Sequence, residues 1–485
     1  MSPRLQAMQR IFGAIVALSS LVALPPLLIA WWLGEPTRTA FFDSLVLTAA
    51  IGLLLWYPVR RVEYDLRLRD GFLITAALWV IASLVMSIPF MLTAPHLSLA
   101  DAVFESTSGL TTTGATVING LDALPRSMLF YRQSLQFVGG MGIVILAVAI
   151  MPMLKVGGMQ LFRAETTGPT RDNKLTPRIA ETARALWMVY LGLYVLCAAA
   201  YWTGGMDWFD AICHAMSTVA SGGFSTHDDS FGYWDSPLLE GIACVMMMAA
   251  AVNFGMHWYA WRRATLAHYQ VDSELRALLL ITLVATALIT TQLWLGGTYP
   301  GFWSSLRHGL FQTVSNLSTT GFTLDGGFVG WHGAAPLLLV LIGFIGGCSG
   351  STAGGIKVAR WQMLVRQGLR EVRQLVHPKG QFVVKLGGKR VSESVVISVG
   401  GFFTLYVVSY FALVLLLAST GTPAETALAA IAASLTNVGP GMGEVALHFS
   451  SLGDFATWVC SFSMILGRLE VFTILVLLTP QFWNE

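Results

Sequence analysis

Four short segments rich in Thr, Ser and Gly punctuate an otherwise apolar chain: Thr111-Thr112-Thr113-Gly114, Ala220-Ser221-Gly222-Gly223, Ser318-Thr319-Thr320-Gly321 and Thr436-Asn437-Val438-Gly439. Their last glycines are 109, 98 and 118 residues apart, and each interval is long enough for one complete membrane module. Four equivalent loops in one chain can surround a single axis, which is how backbone carbonyls line a cation pore.

Composition places these segments in a bilayer. Hydrophobic residues make up 55% of the chain and charged residues 12%, against about 25% charged in an ordinary soluble domain. Soluble domains of this total length would lack the charge to cover their surfaces. The net charge of +2 argues neither for nor against nucleic acid, and no nucleic-acid partner is expected. Cys197, Cys213, Cys244, Cys348 and Cys460 show no CxxC and no zinc spacing, and they read as buried thiols.

Apolar runs long enough to span occur at about residues 11–33, 40–58, 71–94, 134–154, 185–203, 238–260, 275–296, 335–346, 394–418 and 455–479, or roughly ten crossings. The first follows Arg4 and Arg10 like a signal peptide. It is too long for that, carries Pro25-Pro26 at its middle and lacks a small-residue cleavage site, so it reads as a membrane helix. Shorter apolar pieces at about 100–111, 209–220, 305–317 and 425–436 directly precede the four glycine segments. These fit re-entrant half-helices, whose non-helical continuation is tolerated only where it lines a wet cavity. The expected fold is an all-α membrane protein with an N-terminal hairpin (1–69) and four modules of helix, half-helix, loop and helix (70–155, 156–263, 264–370 and 371–485).

Basic residues set the expected orientation. Arg60, Arg61, Arg67 and Arg69 precede the first module, and Lys155, Arg163, Arg171, Lys174, Arg178 and Arg184 follow it. Arg262 and Arg263 follow the second, and Lys357, Arg360, Arg366, Arg370, Arg373, Lys379, Lys385, Lys389 and Arg390 separate the third from the fourth. The positive-inside rule puts all of these, and both termini, in the cytoplasm. The opposite loops lean acidic, with Asp101, Glu105, Asp207, Asp210, Asp228, Asp229, Asp325, Glu425, Glu444 and Asp454, so a cation meets a negative entrance.

Carbonyls aimed at a central ion require left-handed or strained dihedrals, which glycine adopts at least cost. Each half-helix also turns its negative C-terminal end toward the membrane centre. Small residues at tight helix crossings are the alternative reading of any one segment; four in register favour a filter. A second stretch, 343–357, holds Gly346, Gly347, Ser349, Gly350, Ser351, Gly354 and Gly355. It lacks the Gly-Lys-Ser/Thr ending of a phosphate loop, and it should break the third module's closing helix at mid-membrane, under the filter. Arg468 falls near the middle of the 455–479 run, where an arginine costs at least about 2.5 kcal/mol unless it faces protein or water. Pairing with Glu470, two residues on, is disfavoured by helix geometry.

Together the four segments, the leading hairpin, the 346–357 stretch and Leu466-Gly467-Arg468-Leu469-Glu470 resemble the bacterial Trk-type (TrkH/TrkG-like) potassium uptake proteins, in the superfamily that includes Ktr and plant HKT transporters. The resemblance implies potassium uptake through a four-loop filter, with 346–355 as an intramembrane gating loop and Arg468 as the pore arginine. It also implies a homodimer in the bacterial inner membrane, regulated by separate cytoplasmic nucleotide-binding subunits of the TrkA type, with no organic cofactor on this chain. The residues alone indicate a monovalent cation, since the filter offers neutral carbonyls. A symporter coupling potassium to protons or sodium is the alternative, disfavoured because the spans hold almost no carboxylate apart from Glu470 and the repeats are parallel. A scaffold or receptor explains neither the fourfold segments nor Arg468.

Overall fold

The computed structural model describes residues 2–62, 64, 68–145, 179–324 and 326–483. The second half of the expected fourth span, together with Arg67, Lys155, Arg163, Arg171, Lys174, Arg178 and Asp325, lies outside the described residues.

An antiparallel hairpin leads, from Pro3–Leu33 and Arg38–Val59. Its first arm is interrupted at Ser20–Ala23 by a tighter turn, immediately before Pro25 and Pro26, whose missing N–H groups cannot continue the hydrogen-bond ladder. Glu35, between the arms, accepts from the backbone N–H groups of Arg126 (2.9 Å) and Ser127 (3.2 Å). It thereby satisfies the free donors at the start of the next module's closing helix. Arg4 pairs with buried Asp70 at 2.6 Å, tying the hairpin to that module's leading helix.

Four modules follow, each built of a leading helix, a short pore helix, a loop and a closing helix. The leading helices are Leu68–Met86, Ile179–Thr203, Ser273–Leu295 and Glu393–Ala418. The pore helices are Leu99–Leu110, Trp208–Ala220, Phe302–Leu317 and Ala424–Thr436, within a few residues of the half-helices read from sequence. Ser98 and Asp207 accept backbone N–H groups to start the first two.

Polarity is inverted relative to a soluble protein. Leu54, Leu283 and Leu415 lie on the outer surface, whereas Glu105, Ser106, Thr107 and Ser108 of the first pore helix are fully enclosed. Only a lipid-facing exterior makes that distribution favourable. Among the described residues, 6 helices are long and apolar enough to cross a membrane, and a bent pair makes a seventh.

Two of the closing helices, the second and the fourth, depart from the continuous spans expected, while the third breaks in the 343–357 stretch as expected. The first is Arg126–Ile145. The second bends by 98° between Pro237–Ala251 and Phe254–Arg263. The third stops at Ile345 and resumes as Val358–Val376. The fourth, expected to run to about 479, ends at Arg468, so the arginine terminates a helix instead of occupying its middle. Gly467 lies against the Leu435 carbonyl of the fourth pore helix. The chain then closes the helix with Glu470 at φ 55° and a bond from Val471 N to Leu466 O (2.9 Å) before Phe472–Leu477, a Schellman ending built without glycine. A two-residue β-hairpin, Lys385–Leu386 with Lys389–Arg390, turns through Gly387 and Gly388 between the last two modules.

Candidate functional site: a four-loop ring and the loop across it

All four pore helices end alike. Thr112, Ser221, Thr319 and Asn437 take φ of 50°, 55°, 55° and 55°. The following N–H reaches back along the helix, from Thr113 to Ser108 O, Gly222 to Ser217 O, Thr320 to Ser315 O and Val438 to Ala433 O, at 2.8 to 3.0 Å. This is the Schellman closure again, with a Thr, Ser or Asn where glycine is usual. Holding such residues left-handed costs on the order of 1 kcal/mol or more each. The sequence reading placed that demand on glycine alone. The glycines carry a second left-handed turn, with φ of 84°, 82°, 82° and 100° at Gly114, Gly223, Gly321 and Gly439.

These glycines also meet one another's loops. A Cβ on Gly114 would overlap the Gly222 carbonyl oxygen, on Gly223 that of Thr320, on Gly321 that of Val438, and on Gly439 that of Thr113. The order runs from each module to the next and returns to the first, so the four loops form one closed ring. Within it Thr111 donates to Thr107 O (2.7 Å) and lies 2.7 Å from the Thr113 hydroxyl; Ser318 and Thr320 hydroxyls are 2.8 Å apart; Thr436 donates to Ala432 O (2.7 Å). Asn437 donates to Thr113 Oγ1 at 2.9 Å, joining the last loop to the first. Ala220 packs against the closing helix of the first module at Gly140.

The glycine-rich stretch lies across the pore-helix ends. It leaves its helix at Gly346 (φ 72°) and returns beside its start, with Ile356 N to Phe344 O at 3.0 Å and Lys357 N to Ile345 O at 2.9 Å. Its tip bonds the second, third and fourth pore-helix ends directly and reaches the first through Arg468. Thr352 Oγ1 donates to Val219 O (2.9 Å) and lies 3.0 Å from Ser221 Oγ; Gly354 N donates to Thr319 Oγ1 (2.5 Å) and Gly355 N to Thr436 O (3.0 Å). Arg468 Nη2 completes the set by donating to Thr112 Oγ1 (2.7 Å) and to Thr352 O (2.9 Å). A segment bonded to three of the four surrounding helix ends, and linked to the fourth through Arg468, crosses the axis they share.

The base of the loop has its own anchors. Glu274 Oε1 accepts from Ser349 N (2.7 Å), Ser349 Oγ (3.1 Å) and Ala359 N (3.1 Å), holding both limbs of the loop. Asn253, at the bend of the second closing helix, donates to Ser349 O (2.7 Å), and Phe254 N donates to Gly350 O (3.1 Å). Gly347 is pressed between Ala353 and the Ala251 carbonyl, and Ser351 Oγ donates to Cys348 O (2.6 Å). Glu470 pairs at 2.7 Å with Arg360 of the helix leaving the loop.

Glu274, Asn253 and Arg132 were passed over in the sequence, and Arg360 and Glu105 counted only as loop charges, whereas Glu105 lies in the first pore helix, enclosed with Arg132 at 2.8 Å. A charged residue inside an apolar run was the available signal for several of them. Glu240 corrects the view that the spans lack carboxylates: it is buried in the second closing helix and paired with Arg307. Cys197, Cys213, Cys348 and Cys460 are buried and Cys244 half-buried, all as free thiols. No cluster of His, Cys, Asp or Glu suited to a metal occurs among the described residues.

On the pore-helix N-terminal side, His227 contacts Asp122 through Nδ1 and lies 3.3 Å from Asp210 through Nε2, with its ring stacked 3.5 Å from Tyr233. Burial alone would lower its pKa, but the bonds to Asp210 and Asp122 hold the imidazole above its ordinary value. Burial opposes the charge on Asp122, but the hydrogen bonds from His227 and Asp228 and the charge of His227 together outweigh it, leaving that carboxyl below its usual range.

Residues 37–484 match the family model described as TrkH, cation transport protein. The chain is 47% identical over 482 residues to the Trk system potassium uptake protein TrkH of Halomonas elongata, covering 99% of this chain and 100% of that one. It is 39% identical to TrkG of Escherichia coli, covering 98% and 97%. The crystal structure of the potassium transporter TrkH from Vibrio parahaemolyticus superimposes with a TM-score of 0.91 at 44% identity, over 99% of this chain and 100% of that one. A match to the family model over nearly the whole chain, joined to relatives of the same length and architecture, establishes that this multi-pass, all-α membrane protein belongs to the TrkH family of cation transport proteins.

Proposed function

We propose that the chain takes up potassium through a pore whose filter is formed by residues 111–114, 220–223, 318–321 and 436–439, and that residues 346–355 with Arg468 close it. The closed ring of glycine-to-carbonyl contacts carries this reading. It gives four loops of neutral oxygens around one axis, suited to a weakly hydrated monovalent cation, and the relatives named as potassium transporters support potassium as that cation. The hairpin and four modules divide near residues 69, 155, 263 and 370. The chain works as a homodimer in the bacterial inner membrane with both termini in the cytoplasm. A nucleotide-binding regulatory subunit of the TrkA type engages the basic segment 357–391 and acts on the loop through the Val358–Val376 helix.

Reversal potentials in reconstituted bilayers under opposed potassium and sodium gradients test this reading. The wild type should favour potassium, and Gly114→Ser, Gly223→Ser and Gly321→Ser should each lose that preference while still inserting. Unchanged relative permeability in all three would end the filter assignment. A wild-type reversal potential that follows the proton or sodium gradient would replace passive uptake by symport.

A further inference from the structure

The second filter loop differs from the others at two positions: Ala220 stands where they have Thr111, Ser318 and Thr436, and the residue before the shared glycine differs as well. Thr113, Thr320 and Val438 precede the shared glycine in three loops, and Gly222 precedes it in the second. Gly222 takes no positive φ, so backbone strain does not require a glycine there. Space does: a Cβ on Gly222 would lie 2.4 Å from Cδ and 2.5 Å from Oε1 of Gln136, a fully buried side chain of the preceding module. Its amide brackets Gly223, with Nε2 donating to Gly222 O (2.6 Å) and Oε1 accepting from Phe224 N (3.2 Å). One partner is an acceptor and the other a donor, so the orientation of the amide is fixed.

Three neighbouring residues of the same helix, Arg132, Gly139 and Gly140, fix where Gln136 sits. Arg132, one helical turn earlier on the same face, donates to Ser225 O (3.0 Å), lies 4.2 Å from the centre of the Phe224 ring, and is neutralised by Glu105 at 2.8 Å. Gly139 and Gly140 let the same helix touch Leu110 and Ala220 at the ends of the first two pore helices. In the first and third loops, by contrast, Thr113 and Thr320 bond hydroxyls of their own segments.

Resting on the filter reading above, we infer that Gln136 is a positioning residue of the ion filter. It substitutes, from the neighbouring module, for the side chain that the second loop lacks, and it fixes the orientation of the Gly222 carbonyl. The first module therefore builds part of the second module's filter. Gly222 and Gln136 are a matched pair, each explaining the other.

The test uses the full chain, purified as the intact assembly and reconstituted, with the sodium-to-potassium permeability ratio as readout. Gln136→Ala frees the Gly222 and Phe224 peptides and should raise that ratio by about threefold or more. Gly222→Thr alone should raise it as well, by displacing the amide. The double variant Gln136→Ala with Gly222→Thr puts a threonine where the first and third loops carry one, in the space the amide vacates, and it should return the ratio to within about twofold of wild type, a strong coupling between the sites. Gln136→Glu keeps the size and the acceptor but loses the donor to Gly222, so it should shift the ratio in a protein of wild-type chromatographic behaviour; it stands as the test if the double variant does not assemble. A wild-type ratio in Gln136→Ala and Gln136→Glu overturns the inference, as does a double variant no better than the worse single one. Gly114→Ser, measured alongside, separates the two readings: if it loses selectivity while Gln136→Ala does not, only the role of Gln136 fails, and if neither moves, the filter itself does.

Discussion

The ring of filter loops and the loop that crosses it meet within a few ångströms, yet they are held by different means. Each filter loop is fixed first by backbone, a Schellman closure of the pore helix and then a glycine seated against a neighbouring carbonyl, with the Gln136 amide added at the second. The crossing loop is fixed largely by side chains reaching in from elsewhere: Arg468, Glu274, Asn253, and the hydroxyls of Ser221 and Thr319. Backbone closure allows no alternative arrangement short of unwinding the helix end. A hydrogen bond of about 1 kcal/mol net can break and reform without disturbing either partner's secondary structure. The same chain thus builds a rigid ring and a releasable bar, and the contrast fits one element that selects and another that opens.

The largest expected effect falls on the rigid side. Gly321→Ala combines a left-handed φ of 82° with overlap of the Val438 carbonyl, together about 2 to 4 kcal/mol. Potassium preference over sodium should fall by about tenfold or more, with a lowered thermal midpoint in detergent. Reversal potentials and thermal unfolding check both. A variant that keeps its selectivity and its midpoint would erase the distinction between ring and bar, because the ring would then be as forgiving as the loop.

On the releasable side, Arg468→Ala removes two charge-assisted hydrogen bonds, one to the filter base at Thr112 and one to the loop at Thr352. At about 2 kcal/mol, the open population, and so the basal flux without a regulatory partner, should rise by about thirtyfold. Arg468→Lys sharpens the comparison: lysine keeps the charge but lacks the planar fork. Low flux in Lys and high flux in Ala point to repulsion of the ion, and high flux in both points to the latch. Flux no greater than wild type in Arg468→Ala at equal protein density removes the gate role from Arg468.

The two regions were not equally legible in the sequence. The ring follows from local pattern, since a short apolar helix ending in Thr or Ser before glycine is visible within about a dozen residues and recurs four times. Its closure is not, because the Gly114–Gly222 and Gly439–Thr113 contacts join modules far apart in the chain. The extra glycine at 222 was visible as a difference between loops, but its cause, Gln136, sits 86 residues away. The end of the last helix at Arg468 was hidden for a different reason. The turn there uses Glu470 and Val471 at positive φ, and the apolar run that follows keeps hydropathy high through the break. Hydropathy reports residence in the membrane, not continuity of the helix. Partner choice was lost with it: on a helix continued through 470 the Glu470 side chain would point elsewhere, whereas the observed turn presents it to Arg360.

The smallest expected effect lies on the far side of the ring, where side chains again join two modules. His227 bridges Asp122 of the first module's outer turn and Asp210 of the second pore helix; Asp228 beside it accepts from Gly120 N (3.0 Å), and His214 lies below on the same pore helix. The folded pKa of His227 is raised, so its contribution is complete below the free imidazole value of about 6.5 and fades as pH rises through the higher folded value. Asp122 is lowered, so its share is present above the ordinary carboxylate range and is lost only in strong acid. Its half-exposed carboxylate is screened and adds little. Between those limits the bridge is worth about 1 kcal/mol. His227→Gln should therefore lower the thermal midpoint by about one degree at pH 5.5 to 6 and by much less at pH 8.5, with selectivity unchanged at both. A loss of stability equal at the two pH values would show that the imidazole contributes by stacking on Tyr233, not by charge. A pH-dependent change in selectivity would show that this side-chain bridge reaches the backbone ring, and the separation between the two kinds of restraint would then not hold on this face.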